Sequence, residues 1–555
     1  MKRVFFLCLF VVGISTFATD IKLPFTVDSA KSFLASNPDI KEVSDNLAKK
    51  AVDFYSAKDL SSASATLSVA KFLDFASSSN EKLDTELFAY VLSTTSILDE
   101  LSVIISPKDD ISAVFKILND IWKNNPDDFK SFSNLAIAIA IVFDTQPPSS
   151  YPHSQVSEKS LPRKLQQPVD AFKMWVNDRR KGRLMSKIEN LSVEELKFLV
   201  ATILPQADRV WAQRSVSTNS NSIPKLYSGV PYDYARLNAK EFTWIDERGE
   251  YSLENIKNKG GICTDQSFFT SEVAKAKGLP AFIFSGAGSD GFHAWVGYMV
   301  KSGKWNFSVG RFASGNFVTG KTYDPQTWDI ATSHSLESLS QSFRRSAKYR
   351  TNEIHTAFAN IYLANENYKE ARVASENAIK TDVRNFESWC CLLEANEKLD
   401  DALGIQKTCM NAIKAFARSP DNDAHFRVIM IEKLKSAGKK ADAKKLTNAF
   451  VIKNKSNRPD LAMYFARMEL LADIEENDVQ KLKTSYKRLF GVFKNDLGMT
   501  LQGIVIPVLQ KLHEEGKTDK INDIVEQTRQ IIKKSKDETI QSNFERALSI
   551  LGNTK

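Results

Sequence analysis

Apolar residues recur at helical spacing along most of the first two hundred positions. Over 44–75 they fall at Leu47, Ala51, Phe54, Tyr55, Leu67, Ala70, Phe72 and Leu73, the rhythm of a helix face turned to a core. Stretches 87–105 and 111–122 repeat it, 169–177 and 193–201 add two more, and 134–143 (NLAIAIAIVF) is apolar all round and reads as a buried helix. The run Pro147-Pro148-Ser149-Ser150-Tyr151-Pro152 breaks the rhythm, and the polar stretch to Pro168 reads as a loop. The segment 215–224 (SVSTNSNSIP) is polar and rich in breakers, a linker or surface loop before a new unit. The chain to 224 is therefore expected to be an N-terminal helical region.

Over 225–345 the pattern changes. Alternation and β-branched or aromatic residues predict strands over 281–285, 292–299 and 305–309, with Ser302-Gly303 as a turn. Cys263 to Gly278 reads as a helix, with Phe268, Phe269, Val273 and Ala276 on its inner face. Lys275 and Lys277 sit near its C-terminus, where cations favour the dipole; Gly278 caps it and Pro280 stops it. From Tyr349 the pattern is helical to the end. There His355, Ala359, Tyr362, Ala371 and Ala378 recur, shifted by 34, as Trp389, Leu393, Asn396, Ile405 and Ala412. The clearer unit contains NYKEARVASENAIKTD (367–382), and more degenerate helix pairs follow it. The fold class expected is α+β, flanked by an N-terminal α-helical region and a C-terminal α-helical array over 346–555.

Composition adds little to this. With 555 residues, 43% hydrophobic and 26% charged, the chain is ordinary globular protein of several domains. The net charge of +8, from 75 basic and 67 acidic residues spread along the chain, makes no case for nucleic acid. The basic cluster 178–183 (DRRKGR) reads as a solvated helix end. The first residues matter more. Lys2 and Arg3 precede an apolar run over 4–17 that is too short to span a bilayer, and Thr16 and Ala18 are small residues at the −3 and −1 positions. A signal peptide over 1–18 is expected, cleaved after Ala18, with export to the periplasm or cell exterior and no membrane span afterwards. Cys8 lies within the apolar run, away from the cleavage site, which argues against a lipid anchor. Cys263, Cys390, Cys391 and Cys409 remain, too few for a disulfide framework; whether Cys390 or Cys391 bridges to Cys409 stays open.

The candidate chemistry lies in 260–299, GGICTDQSFFTSEVAKAKGLPAFIFSGAGSDGFHAWVGYM. A thiol attacks as thiolate, and a helix N-terminus favours that anion. Gly260-Gly261-Ile262-Cys263 puts the sulfur there, with a backbone N–H that can donate to an oxyanion. His293, after a glycine-rich turn, supplies a base on a strand. Taken singly, each reads as an ordinary buried cysteine or strand histidine; as a pair they carry a nucleophile and its base. Trp295 either lines the site or is core, Gln266 either helps an oxyanion or solvates the helix, and Arg311 either binds a substrate carboxylate or caps a strand end. No zinc-ligand spacing occurs, and Cys263, His293 and His334 would meet only through the fold. Residues 315–322 (GNFVTGKT) match a phosphate-loop pattern, but Pro325 opposes the helix that such a loop needs. No EF-hand calcium loop is present. Neither metal nor cofactor is expected.

GGIC, GLPA fifteen residues after the cysteine, and HAW after the turn resemble the transglutaminase-like superfamily. The resemblance covers about 40 contiguous residues, and about 110 with their flanks. It implies a papain-like α+β core, with Cys263 as nucleophile and His293 as base. It also implies an aspartate that orients the histidine, on a following strand. The strand after His293 (WNFSVGR) holds no aspartate. Asp324, in Tyr323-Asp324-Pro325-Gln326-Thr327-Trp328, resembles the family's Asp-Pro-Thr ending with an insertion before it; Asn306 is the alternative, and Asp290 is too close to His293 along the turn. The C-terminal array resembles tetratricopeptide repeats, which implies a concave surface for a protein or peptide partner. The function expected is amide or peptide hydrolysis, or transamidation, through a Cys263 thioester on a protein or peptide substrate. The alternative is a catalytically degenerate core whose helical repeats do the binding.

Overall fold

The computed structural model describes residues 23–553 apart from 38, 289–290, 312–318, 476–478, 495–496 and 535–537; the expected signal peptide and Asp290 lie outside the described residues. The fold is α+β: mostly helical, with one antiparallel sheet of five strands. The strands are β1 (Ala281–Gly288), β2 (Gly291–Lys301), β3 (Lys304–Val309), β4 (Lys321–Tyr323) and β5 (Ile330–Thr332), in the spatial order β3-β2-β1-β4-β5. The turn at Ser302-Gly303 is as expected, with Gly303 at φ +71°. The chain forms two compact units. One runs to Gly286 and takes in His293–Arg311 and Thr319–Asn367; the other is built mainly on Tyr368–Lys555.

In the first unit, helices come before the sheet and pack around it. Helix Ser133–Phe143 is buried from Leu135 on, because its Ala/Ile sequence offers no polar face. Helix Cys263–Ala276 is also buried on nearly every side rather than along the one stripe that periodicity suggested. Its inner polar residues are paired. Lys275 does not serve the helix dipole: its Nζ donates to Glu272 at 2.8 Å and to the Ala201 carbonyl at 2.7 Å, and Glu272 accepts from Thr202 at 2.6 Å. The basic cluster 178–183 is likewise tied down. Asp178 is buried and pairs with Arg183 and Arg209, Arg179 pairs with Glu189, and Arg180 with Asp128.

Strand alternation gives the sheet two different faces. On one, Ala281, Val296, Tyr298 and Val309 meet Ala274 of the Cys263–Ala276 helix and Ile223 and Tyr227 of helix Ile223–Ser228. On the other, Phe282 meets Phe198 of helix Val193–Val200, and Phe284, Trp295, Trp305 and Phe307 form a chain of ring contacts. Three backbone groups of β3, a strand at the sheet's edge, are met by side chains. Trp305 N–H donates to Ser340 Oγ, the Phe307 carbonyl accepts from Trp295 Nε1, and Ser308 N–H donates to Asn306 Oδ1.

The second unit is a succession of antiparallel-connected helices, each packed on the next: Tyr368–Thr381, Phe386–Lys398, Ala402–Ala415, Pro420–Ser436, Lys440–Asn454, Pro459–Glu475 and Val479–Val492. The turns between them are short. Gly438, at φ +73°, provides the left-handed residue that lets one helix stop and the next begin. Ala371, Ala378 and Ala412, picked out by the 34-residue spacing, are fully buried, so neighbouring helices approach closely there. Cys391 and Cys409 are buried thiols and Cys390 is a partly buried one. Among the described residues no single helix is long and apolar enough to cross a membrane.

Candidate functional site

The Gly260-Gly261 pair is explained by close backbone approach. Gly260 ends helix Leu253–Lys259 at φ +75°, and a Cβ on it would fall 2.5 Å from the Pro231 carbonyl oxygen. A Cβ on Gly261 would fall 2.3 Å from the Cβ of Asp265. The bare backbone lets Gly261 N–H donate to Pro231 O at 2.9 Å and Asp233 N–H donate to Gly261 O at 3.1 Å. Asp265 then closes the first turn of the next helix by accepting from Ile262 N–H at 2.9 Å. This carboxylate is buried and well held: Arg236 donates to it at 2.8 Å and the Tyr251 hydroxyl at 3.1 Å. Behind Tyr251 stands His153, whose Nδ1 accepts from Gln155 N–H, leaving Nε2–H to donate to the Tyr251 oxygen at 3.0 Å. Burial, helped by the Arg163 charge, drives the His153 pKa down to about 3, so the ring is neutral.

Cys263 opens the helix, as its sequence suggests, and its side chain is partly buried. The backbone N–H of Ala294, next to His293 in β2, and Thr264 favour its thiolate. The Tyr232 phenol lies beside the Cys263 backbone: burial pushes its pKa up, and the Cys263 N–H partly offsets this. The helix N-terminus does not win the thiol's protonation. Burial pushes the Cys263 pKa up, the Asp265 carboxylate adds to that, and the Ala294 and Thr264 donors only partly offset it.

His293 stands in β2 with its ring stacked on Trp295, centroids 6.1 Å apart. Its Nε2 lies 2.7 Å from the Gly310 carbonyl oxygen. A carbonyl only accepts, so in the neutral ring the hydrogen is on Nε2 and the basic lone pair is on Nδ1. Burial lowers the His293 pKa and the Gly310 carbonyl partly restores it. Cys263 thus lies beside the β2 residue that follows His293. Tyr227 fixes both parts of this region. Its hydroxyl donates to Ala294 O at 2.9 Å, and its ring fills the space where a Cβ on Gly310 would lie, 2.4 Å away.

The remaining candidates are placed as follows. Asp324, expected to orient His293, accepts instead from Lys197 Nζ at 3.1 Å and from Gln326 N–H at 3.1 Å, and no hydrogen bond joins it to the imidazole. Lys197 is nearly fully buried, which makes this carboxylate its counter-ion. Asn306 is not on His293 either; its Oδ1 takes Ser308 N–H at 2.9 Å. Gln266 is buried and donates to Val230 O at 2.8 Å, a clamp on the 230–233 segment. Trp295 is core, and Arg311 is half-buried with its guanidinium 5.4 Å above the Trp295 ring. Lys321 and Thr322 of the phosphate-loop match lie in β4, while 315–318 fall outside the described residues. No group of three or more His, Cys, Asp or Glu suited to a metal ion occurs among the described residues.

Sequence reasoning missed Tyr227, Tyr232 and the His153–Tyr251–Asp265 chain. Asp265 alone left a signal, as an acid in the first turn of its helix; the others join the site from remote positions. No family profile, no characterised protein and no solved structure matches the chain.

Proposed function

We propose that the chain is an exported cysteine acyl-transfer enzyme with a papain-like, transglutaminase-like core and a C-terminal tetratricopeptide-like array. One observation supports it most: Cys263 opens a helix beside Ala294 of β2, the residue after a histidine whose Nε2 is held by the Gly310 carbonyl, which leaves Nδ1 as the basic nitrogen. Both groups are neutral at rest, so proton transfer accompanies substrate binding rather than preceding it. The thiol proton passes to His293 Nδ1, and sulfur bonds to the carbonyl carbon of a peptide amide. The oxyanion takes the Cys263 N–H at the helix N-terminus. His293 returns the proton to the leaving amine as the C–N bond breaks. Water, deprotonated by His293, then hydrolyses the thioester, and the sulfur takes the proton back. Gly310, through its carbonyl, does the orienting that an aspartate would otherwise do.

The test is acylation by p-nitrophenyl acetate, followed by p-nitrophenolate release and by intact mass. Wild type should gain one acetyl group on Cys263, and His293→Ala should slow this by about a hundredfold. Acylation at the same rate in His293→Ala would overturn the reading. A second reading, a silent core on a binding scaffold, draws on the raised Cys263 pKa and on the commitment of Asp324 to Lys197. It expects no acetylation of Cys263 above that of an ordinary buried thiol.

A further inference from the structure

Over 433–455 eight lysines stand against a single acidic residue, Asp442. The segment covers the end of helix Pro420–Ser436, the turn at Gly438 and helix Lys440–Asn454. Three of these lysines are tied into the array. Lys433 lies 3.8 Å from Glu397, Lys444 2.9 Å from Glu469 and Lys453 3.3 Å from Asp423. Lys435, Lys439, Lys445 and Lys455 are exposed, and no carboxylate pairs with them among the described residues. The turn gathers the first of these: Gly438 N–H donates to the Lys435 carbonyl at 2.9 Å, and Lys439 N–H to that of Leu434 at 2.8 Å. Lys445 stands about 9 Å further along the helix axis. Lys439 is also costly to the fold. It is the N-cap of its helix, makes no side-chain cap bond and sets a cation at the positive end of the dipole. In the preceding helix pair the same place holds Asp401, which accepts from Gly404 N–H at 2.8 Å. Helix Lys440–Asn454 buries Ala443, Thr447, Phe450 and Val451. Its outward stripe is Ala441, Lys445, Ala449 and Ile452, spaced by four, four and three residues, with Ile452 60% exposed.

We propose that this face of the helical array docks on an anionic phospholipid surface, with Lys435, Lys439, Lys445 and Lys455 among the headgroups and Ile452 reaching their apolar edge. The unpaired cations are all lysines. These are point charges suited to a diffuse negative field, not to the fixed two-pronged contacts that arginine makes with a single ligand. Phe450, the one aromatic residue of the segment, is buried, so no ring stands ready to stack a nucleic-acid base. A soluble acidic polymer would satisfy the lysines but leave Ile452 in water; a lipid surface takes both. The docking face belongs to the second unit and makes no use of Cys263.

Sedimentation of the full-length protein with vesicles tests this. One set is phosphatidylcholine alone, the other phosphatidylcholine with about one third phosphatidylglycerol, each at about 0.05 M and about 0.5 M salt. Wild type should partition onto the anionic vesicles at low salt and leave them at high salt. The double variant Lys435→Gln/Lys439→Gln should bind them about 25-fold more weakly, about fivefold for each lysine. Ile452→Ser should weaken binding about fivefold, and Asp442→Asn should strengthen it. All four positions are exposed, so urea midpoints should stay at the wild-type value. Residues 1–18 are the same in every variant, and differences between variants therefore report on this face alone. Equal partition onto both kinds of vesicle, no partition, or an unchanged double variant would overturn the proposal. Dependence on the lysines with no effect of Ile452→Ser would overturn it in favour of a soluble acidic polymer. Acylation of Cys263 is not read in this experiment, so its failure leaves the acyl-transfer reading standing.

Discussion

The imidazole of His293 is held by a backbone carbonyl, that of Gly310, 2.7 Å from Nε2. The geometry depends on residue 310 being glycine. Its φ is +81°, and the Tyr227 ring occupies the place of a Cβ. Gly310→Ala should therefore lower stability by about 2–4 kcal/mol, from left-handed strain and overpacking together. It should also slow acetylation of Cys263 beyond what the stability loss explains. Urea midpoints and acylation rates on the same preparation check both.

Asp324→Asn separates a structural ion pair from a catalytic one. With Lys197 losing a charged partner in a buried setting, the variant should lose about 1–3 kcal/mol. Glu194, 3.0 Å from the same ammonium, limits the loss. Acylation of Cys263 measured well below the melting temperature should be unchanged. A hundredfold drop with normal stability would return Asp324 to the active centre.

The resting thiol should be slow. Since burial and Asp265 raise the Cys263 pKa, alkylation by iodoacetamide without substrate should rise with a midpoint above that of a free cysteine, ~8.5. Mass-resolved labelling across pH 6–10, with a small thiol as reference, reads this directly. A midpoint below the reference would mean a pre-formed ion pair.

His153 predicts an acid limb in the stability curve. Its folded pKa is about 3, against 6.5 for the exposed group. The unfolded chain binds the extra proton between those values, so this contribution is complete above pH 6.5 and is lost as pH falls toward 3. The full span is about 4–5 kcal/mol. His153→Gln should flatten the urea midpoint between pH 4 and 7 while lowering it at pH 7. An unchanged acid limb would assign it to other groups.

Much of this architecture is legible in the sequence because its signals are local. Alternation finds β1, β2 and β3 to within a few residues, whereas β4 and β5, of three residues each, are too short to show it. The 87–105 stretch is two helices, Thr85–Ser93 and Thr95–Ile104, and their break carries neither glycine nor proline. At the site, the glycine pair and the helix start mark Cys263. The partner of His293 is illegible because a carbonyl has no residue identity: any amino acid at 310 brings one, and only the fold decides which is used. Lys275 misleads for a related reason. Near a helix C-terminus it looks solvated, yet its partner Glu272 is buried with it, and a spacing of three residues is equally common on exposed faces.

The side-chain bonds along β3 have one further consequence. An edge strand with bare N–H and C=O groups is a template for pairing with any other extended chain, including a second copy of itself. Here Ser340 and Asn306 occupy two of those groups, the Trp305 and Ser308 N–H, while the Phe307 carbonyl is taken by Trp295 of neighbouring β2. The sheet is thereby guarded against growing from one protein to the next, and Ser340→Ala, which bares the Trp305 N–H, is the smallest change that would open that edge to self-association.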